Sequence, residues 1–259
     1  MLAGKSYLSR MPLNLARRLT GRERTGTADQ LLGMTLAFVA GATNAGAFLA
    51  VRQYTSHMTG VLSTFADAVV LRAWEVALSA VGALLSFLVG AAVCAMLVNF
   101  GHRRNWRSVY ATPLLLEAVL MLVFGVLGAR LAHLSGFIVP VTIMLLCFMM
   151  GLQNAVITKI SRSVIRTTHV TGMITDLGIE IGRLFYVNDP VVALPRVRAD
   201  RRRMRLLGSL LAAFLLGGML GAIGFQRMGY AATIPLAIML GALSVVPAYD
   251  DLSASWSEH

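Results

Sequence analysis

A chain of 259 residues that is 57% hydrophobic and 14% charged, with a mean hydropathy of +0.71, is not composed like a soluble domain, where about 25% of residues are charged. Its formal net charge of +11 does not signify a nucleic-acid partner. The basic residues flank apolar runs and lack the aromatic interleaving of a binding face, so the expected partner is the lipid bilayer.

The chain opens with a basic stretch. Residues 1–28 hold Lys5, Arg10, Arg17, Arg18, Arg22 and Arg24 without the uninterrupted apolar core of a signal peptide. They read as a cytoplasmic tail lying on the membrane through Leu8, Met11, Leu15 and Leu19. Six runs near the ~20 residues of a spanning helix follow, at 30–51, 76–100, 112–132, 137–158, 206–225 and 229–248. Two shorter apolar runs, 57–71 and 169–185, reach only about 22–26 Å as helices. Cys94 and Cys147 lie inside apolar runs with no disulfide or metal spacing, so neither a metal nor another cofactor is expected.

The placement of Lys and Arg chooses the expected topology. Treating both short runs as re-entrant puts 19 of the 23 basic residues on the cytoplasmic side, leaving Arg52, Arg72, Arg130 and Arg227 outside. Letting both cross sends Arg103, Arg104, Arg107, Lys159, Arg162 and Arg166 outside instead. The expected fold is therefore an all-α integral membrane protein of six transmembrane helices plus two short re-entrant helices, arranged as two inverted-topology repeats. Repeat 1 covers 29–133 and repeat 2 covers 134–249, the latter carrying a basic cytoplasmic loop at 186–205. Residues 250–259 form a C-terminal tail, with both termini cytoplasmic. Inverted repeats of this kind recur in transporters and channels, with the site near the midplane.

The sequence also says nearly the same thing twice. Ser56-His57-Met58-Thr59-Gly60 opens one short run and Thr168-His169-Val170-Thr171-Gly172 opens the other, each with an Asn-Ala pair upstream, Asn44-Ala45 and Asn154-Ala155. Ser56 and Thr168 have the chemistry of helix N-caps, and Gly60 and Gly172 permit close approach of a backbone or ligand. Uncompensated helix N-termini favour anions and polar oxygens, and His57 and His169 add donors that titrate near neutral pH. After the second pentad, Asp176 and Glu180 share a helix face, with Arg183 three residues on. Asp176 reads as a site or proton-relay acid, and Glu180 with Arg183 as an interfacial ion pair. Glu117 carries little weight. Gly41–Gly46 and Gly151–Ala155 suggest local helix breaks or tight crossings, and the Gly178/Gly182 and Gly217/Gly221 pairs suggest close helix packing or a homo-oligomer.

Met150-Gly151-Leu152-Gln153-Asn154-Ala155, Arg166 to Gly172, Thr175-Asp176-Leu177-Gly178 and Gly182-Arg183 form an ordered set that resembles the YoaK family, a widespread bacterial group of multi-pass membrane proteins of unknown function. Gly41, Asn44-Ala45, Phe48-Leu49 and Met58-Thr59-Gly60 extend the resemblance into the first half. The family pattern has Asp-Ala where this chain has Asn44-Ala45, and Asn where it has Val61, so any acid-dependent role falls to the second half. The resemblance implies a bacterial inner-membrane protein and supplies no substrate.

The functional expectation is a channel or secondary transporter for a small polar or anionic solute. Its path would be lined by Asn44, Ser56, His57, Thr59 and Gly60 from one half and by Asn154, Thr168, His169, Thr171, Gly172 and Asp176 from the other. The alternative is a membrane scaffold or accessory subunit whose basic loop binds a partner or anionic lipid headgroups. An enzyme is not expected, because no H-E-x-x-H, G-x-S-x-G or phosphate-loop motif occurs.

Overall fold

Apolar, Ala- and Leu-rich composition with few interior breakers makes nearly every ordered segment helical. The computed structural model describes residues 19–21, 26–130, 135–161, 168–188 and 195–256. In chain order it contains α1 (Gly26–Val51), α2 (Met58–Val70), α3 (Trp74–Arg103), α4 (Ala111–Arg130), α5 (Ser135–Ile160), α6 (Val170–Phe185) and α7 (Arg201–Met228). A 3-10 turn at Gly229–Ala232 then leads into α8 (Thr233–Trp256). Of the expected tail at 1–28, residues 1–18 and 22–25 lie outside the described residues, as do the loop residues Arg162 and Arg166; Leu19 is described and buried, and Gly26 already begins α1.

Among the described residues, the stretches long and apolar enough to cross a bilayer number five: Gly26–Val51, Trp74–Arg103, Ala111–Ala129, Pro140–Ile160 and Arg201–Asp251. This corrects the expected six transmembrane helices plus two re-entrant helices in inverted-topology repeats. The anticipated crossings at 206–225 and 229–248 belong to one apolar stretch, interrupted by a four-residue 3-10 turn rather than a polar loop. The two runs that begin at the pentads are short helices of 13 and 16 residues. Each leans on the long helix that follows it, α2 on α3 and α6 on α7. Without the six-crossing count, the inverted-repeat arrangement loses its basis. The chain is an all-α protein that spans the membrane several times.

Three pairings hold the long helices: α1 with α7, α3 with α5 and α4 with α8. The first two use one device four times. Each of these helices carries Phe-x-x-Gly: Phe38/Gly41, Phe87/Gly90, Phe148/Gly151 and Phe214/Gly217. Each glycine sits against the backbone carbonyl of the partner helix's phenylalanine, so that a Cβ added there would overlap Phe214 O, Phe148 O, Phe87 O or Phe38 O respectively. In lipid, where apolar burial gives little drive for helices to associate, such backbone proximity is the main source of packing energy. The Gly41–Gly46 stretch is thus a tight crossing within an unbroken α1.

The α4–α8 pair is antiparallel, joined at one end by Asp251 and at the other by Gly125 against Thr233. The Asp251 carboxylate accepts from Arg107 N at 2.9 Å and Ser108 N at 2.8 Å, satisfying amides ahead of α4. The expected C-terminal tail therefore begins inside a helix. Phe124, Phe225 and Tyr230 close the other end, with ring centroids 5.9–6.4 Å apart. A tight turn joins α2 to α3: Ala73 N donates to Ala68 O at 2.8 Å past Arg72, whose φ is 56°.

Candidate functional site

In both halves the structure joins the upstream asparagine to the pentad. Asn44 Nδ2 donates to Ser56 Oγ at 2.6 Å, and Thr168 Oγ1 donates to Asn154 Oδ1 at 2.5 Å. The two copies use opposite ends of the amide. Asn44 lies seven residues before the end of α1 and Asn154 six before the end of α5, which is about 9–10 Å of helix. Each bond thus draws its pentad back alongside the preceding long helix instead of leaving it at the helix end.

This geometry moves the helix starts by one residue. Ser56 and Thr168 do not cap; the N-cap positions are His57 and His169, and neither side chain makes a capping hydrogen bond. Both histidines are exposed, as are Thr59 and Thr171 in the first turns. Each imidazole folds back over its own helix, where a Cβ on Gly60 would overlap His57 and a Cβ on Gly172 would overlap His169. The glycines admit the histidine ring rather than a neighbouring backbone or a ligand, which explains the shared His-x-x-Gly spacing.

The halves differ in how far their polar atoms are satisfied. Asn154 is fully engaged, its Nδ2 donating to Met150 O at 2.7 Å. Asn44 Oδ1 has no partner and is buried, and the same holds for Thr43 Oγ1 and Thr55 Oγ1 beside it. Gln153 spans to α1 through Nε2 to Leu36 O at 3.1 Å, leaving its own Oε1 unpaired. Unpaired buried oxygens are costly and mark places where a polar guest gains hydrogen bonds. Those of Thr43, Asn44 and Thr55 lie next to the first pentad or its asparagine.

Beside the second pentad the acids are occupied. Asp176 pairs with Arg203 at 2.9 Å, with Asp176 41% and Arg203 50% exposed. Glu180 is 1% exposed and binds Arg183 at 2.7 Å; its other oxygen accepts from Asp200 N at 2.8 Å. Asp200 in turn caps α7, accepting from Arg202 N and Arg203 N. Asn188 and Val197 exchange two hydrogen bonds across the basic loop. The expected Glu180–Arg183 pair is present, but its deeper role is to anchor the start of α7. Among the described residues no three His, Cys, Asp or Glu side chains form a metal-holding group, so His57, His169 and Asp176 do not meet as one.

A cleft of about 400 Å³ opens on the other flank of α2, lined by Val51, Arg52, Gln53, Thr64, Glu75, Val76, Ser79 and Ala80. None of the expected pathway residues lines it. Sequence reasoning missed the buried position of Glu117, the bridging role of Asp251 and the fourfold Phe-x-x-Gly pattern. Only the last was readable, as a spacing repeated in four apolar runs.

Long apolar helices locked through glycine-to-carbonyl crossings, with two asparagine-latched pentads on their flanks, define a multi-pass α-helical membrane protein. The chain belongs to the family described as protein of unknown function DUF1275, whose model matches residues 32–246. It is similar to the UPF0700 transmembrane protein YoaK of Bacillus subtilis (strain 168), with 28% identity over 134 residues. That match covers 51% of this chain and 58% of the relative, less than two thirds of its length. No solved structure matches the chain.

Proposed function

We propose that the protein is a channel or secondary transporter for a small polar or anionic solute, with a path that passes the two pentads. The observation that carries this reading is the twofold occurrence of one arrangement: an asparagine on a long helix holding a hydroxyl, an exposed histidine at the next helix start, and no side-chain cap on that start. Helix N-termini attract negative charge and solute oxygens, and imidazole donates hydrogen bonds to them. The first pentad is the better-supplied half, because Asn44 Oδ1 and Thr55 Oγ1 are still unpaired there. Asp176, engaged with Arg203, serves as part of the α7 anchor rather than as a relay acid. The reading assigns no catalytic residue. Its test is solute flux into proteoliposomes, which His57→Ala/His169→Ala is expected to abolish.

One observation favours a second reading, a membrane scaffold or accessory subunit. Phe185, Tyr186 and Val187 are 77%, 58% and 88% exposed at the foot of the arginine-rich segment that begins at Arg196. Apolar side chains beside arginines suit anionic lipid headgroups or a soluble partner. Detergent pulldown with and without the basic loop at 186–205 separates the readings: a partner lost on deletion, with no flux under any gradient, supports the scaffold.

A further inference from the structure

Glu117 stands apart from both pentads. It lies on α4, six residues beyond the start at Ala111, which places it about 9 Å inside the span. It belongs to the buried face formed with Leu114, Ala118, Met121 and Phe124, and it is itself 0% exposed. Neither carboxylate oxygen has a hydrogen-bond partner. This is a different condition from Glu180, which is equally buried but has a guanidinium and a backbone amide on its oxygens.

An ionised carboxylate with no donor on either oxygen is among the most expensive groups that an apolar interior can hold. In membranes such groups face a partner, water or a transported ion, and they mark function by default. Among the described residues, the elements packed on α4 supply no counter-charge at bonding distance. On α3 the only ionisable side chain between Val76 and Gly101 is Cys94. From α5 comes Lys159 in the last turn. The α8 stretch from Thr233 to Ala248 contains no ionisable side chain, and Asp251 beyond it is committed to Arg107 and Ser108.

We propose that Glu117 is a proton-binding site within the membrane, at which the carboxyl group is the resident acid and the proton is the ligand. One oxygen then carries the hydrogen and the charge disappears, which reconciles a complete carboxyl group with surroundings that offer it no donor. The inference does not rest on the solute path: the pentads are on other elements, and either proposal can fail without the other.

The test uses the full chain in detergent micelles and in proteoliposomes, treated with dicyclohexylcarbodiimide. This apolar reagent reacts with protonated carboxyl groups: the acid proton passes to a carbodiimide nitrogen, the oxygen adds to the central carbon, and rearrangement leaves a stable acylurea. Intact mass and peptide mapping are expected to find one adduct on the 111–130 peptide, declining as pH is raised and unaffected by sodium at constant pH. Glu117→Gln, the uncharged isostere, is expected to run as the same monodisperse species on size exclusion and to lose the adduct. Infrared spectra supply a second readout, a protonated-carboxyl carbonyl band present in the wild type and missing from Glu117→Gln. Absence of both adduct and band in the wild type overturns the proposal. So does protection by sodium at constant pH, which would make the ligand a metal cation instead.

Discussion

Asn44 donates its side-chain amide to Ser56 at 2.6 Å, across a turn that leaves the end of α1 and comes back along it. That bond, with its counterpart between Thr168 and Asn154 at 2.5 Å, sets where each histidine stands. Removing the latch should free the pentad without unfolding the bundle, since the crossing glycines are elsewhere. Asn44→Ala and Asn154→Ala are each expected to cost about 1 kcal/mol in thermal or denaturant unfolding. In the Asn44→Ala background, thiol labelling of Met58→Cys, which leaves the Ser56 hydroxyl in place, should accelerate. An unchanged labelling rate would mean that other contacts hold the turn.

The paired crossings predict a division among the glycines. Gly41, Gly90, Gly151 and Gly217 each abut a partner carbonyl, so leucine at any of them should destabilise by about 1–3 kcal/mol or block assembly. Gly178, Gly182 and Gly208 have nothing within 4 Å of an added Cβ. Alanine at these sites should be tolerated, with a gain of about 0.5–1 kcal/mol from helix propensity. Melting curves of both sets in one detergent check the division. Equal sensitivity across the two sets would reject it.

Gly60 and Gly172 should behave as a third kind. Alanine there meets the histidine ring of the same turn rather than another helix. Stability should change little because the ring is exposed and can swing away, while the imidazole leaves its position. Flux in Gly60→Ala/Gly172→Ala is therefore expected to resemble that of the double histidine mutant, with near-native melting.

Much of the fold was readable from the sequence. Every expected apolar run became a helix, and the Asn-Ala pairs and pentads that the spacing singled out are in contact. The failures have physical causes. Residues 226–228 read as a break because Gln226 and Arg227 interrupt the apolar run, yet α7 continues through Met228 and a 3-10 turn leads directly into α8. Ser56 and Thr168 read as caps from residue type alone; cross-helix asparagines outside that local window claimed their hydroxyls. The ion pair of Asp176 was not readable, because its partner Arg203 lies 27 residues away in the first turn of α7, beyond a loop whose path the sequence does not reveal. Glu117 could be placed only once the buried face of α4 was known.

The acids beside α6 should differ sharply in worth. A double-mutant cycle on Asp176 and Arg203, both substantially exposed, is expected to give under about 1 kcal/mol, decreasing with added salt. Glu180→Ala removes a buried carboxylate that accepts from Arg183 and from Asp200 N, with an expected loss of about 1–3 kcal/mol. A large, salt-insensitive Asp176–Arg203 coupling would show that this pair is a structural core element.

The central claim is that the two histidine pentads line a solute path. Its most direct test is stopped-flow swelling of proteoliposomes challenged with glycerol, urea, nitrate or formate, comparing wild type with His57→Ala/His169→Ala. The account predicts that at least one probe enters wild-type vesicles faster than protein-free ones, and that the double mutant, equally incorporated and folded, returns to the protein-free rate. A double mutant that swells as fast as the wild type would remove the pentads from the path.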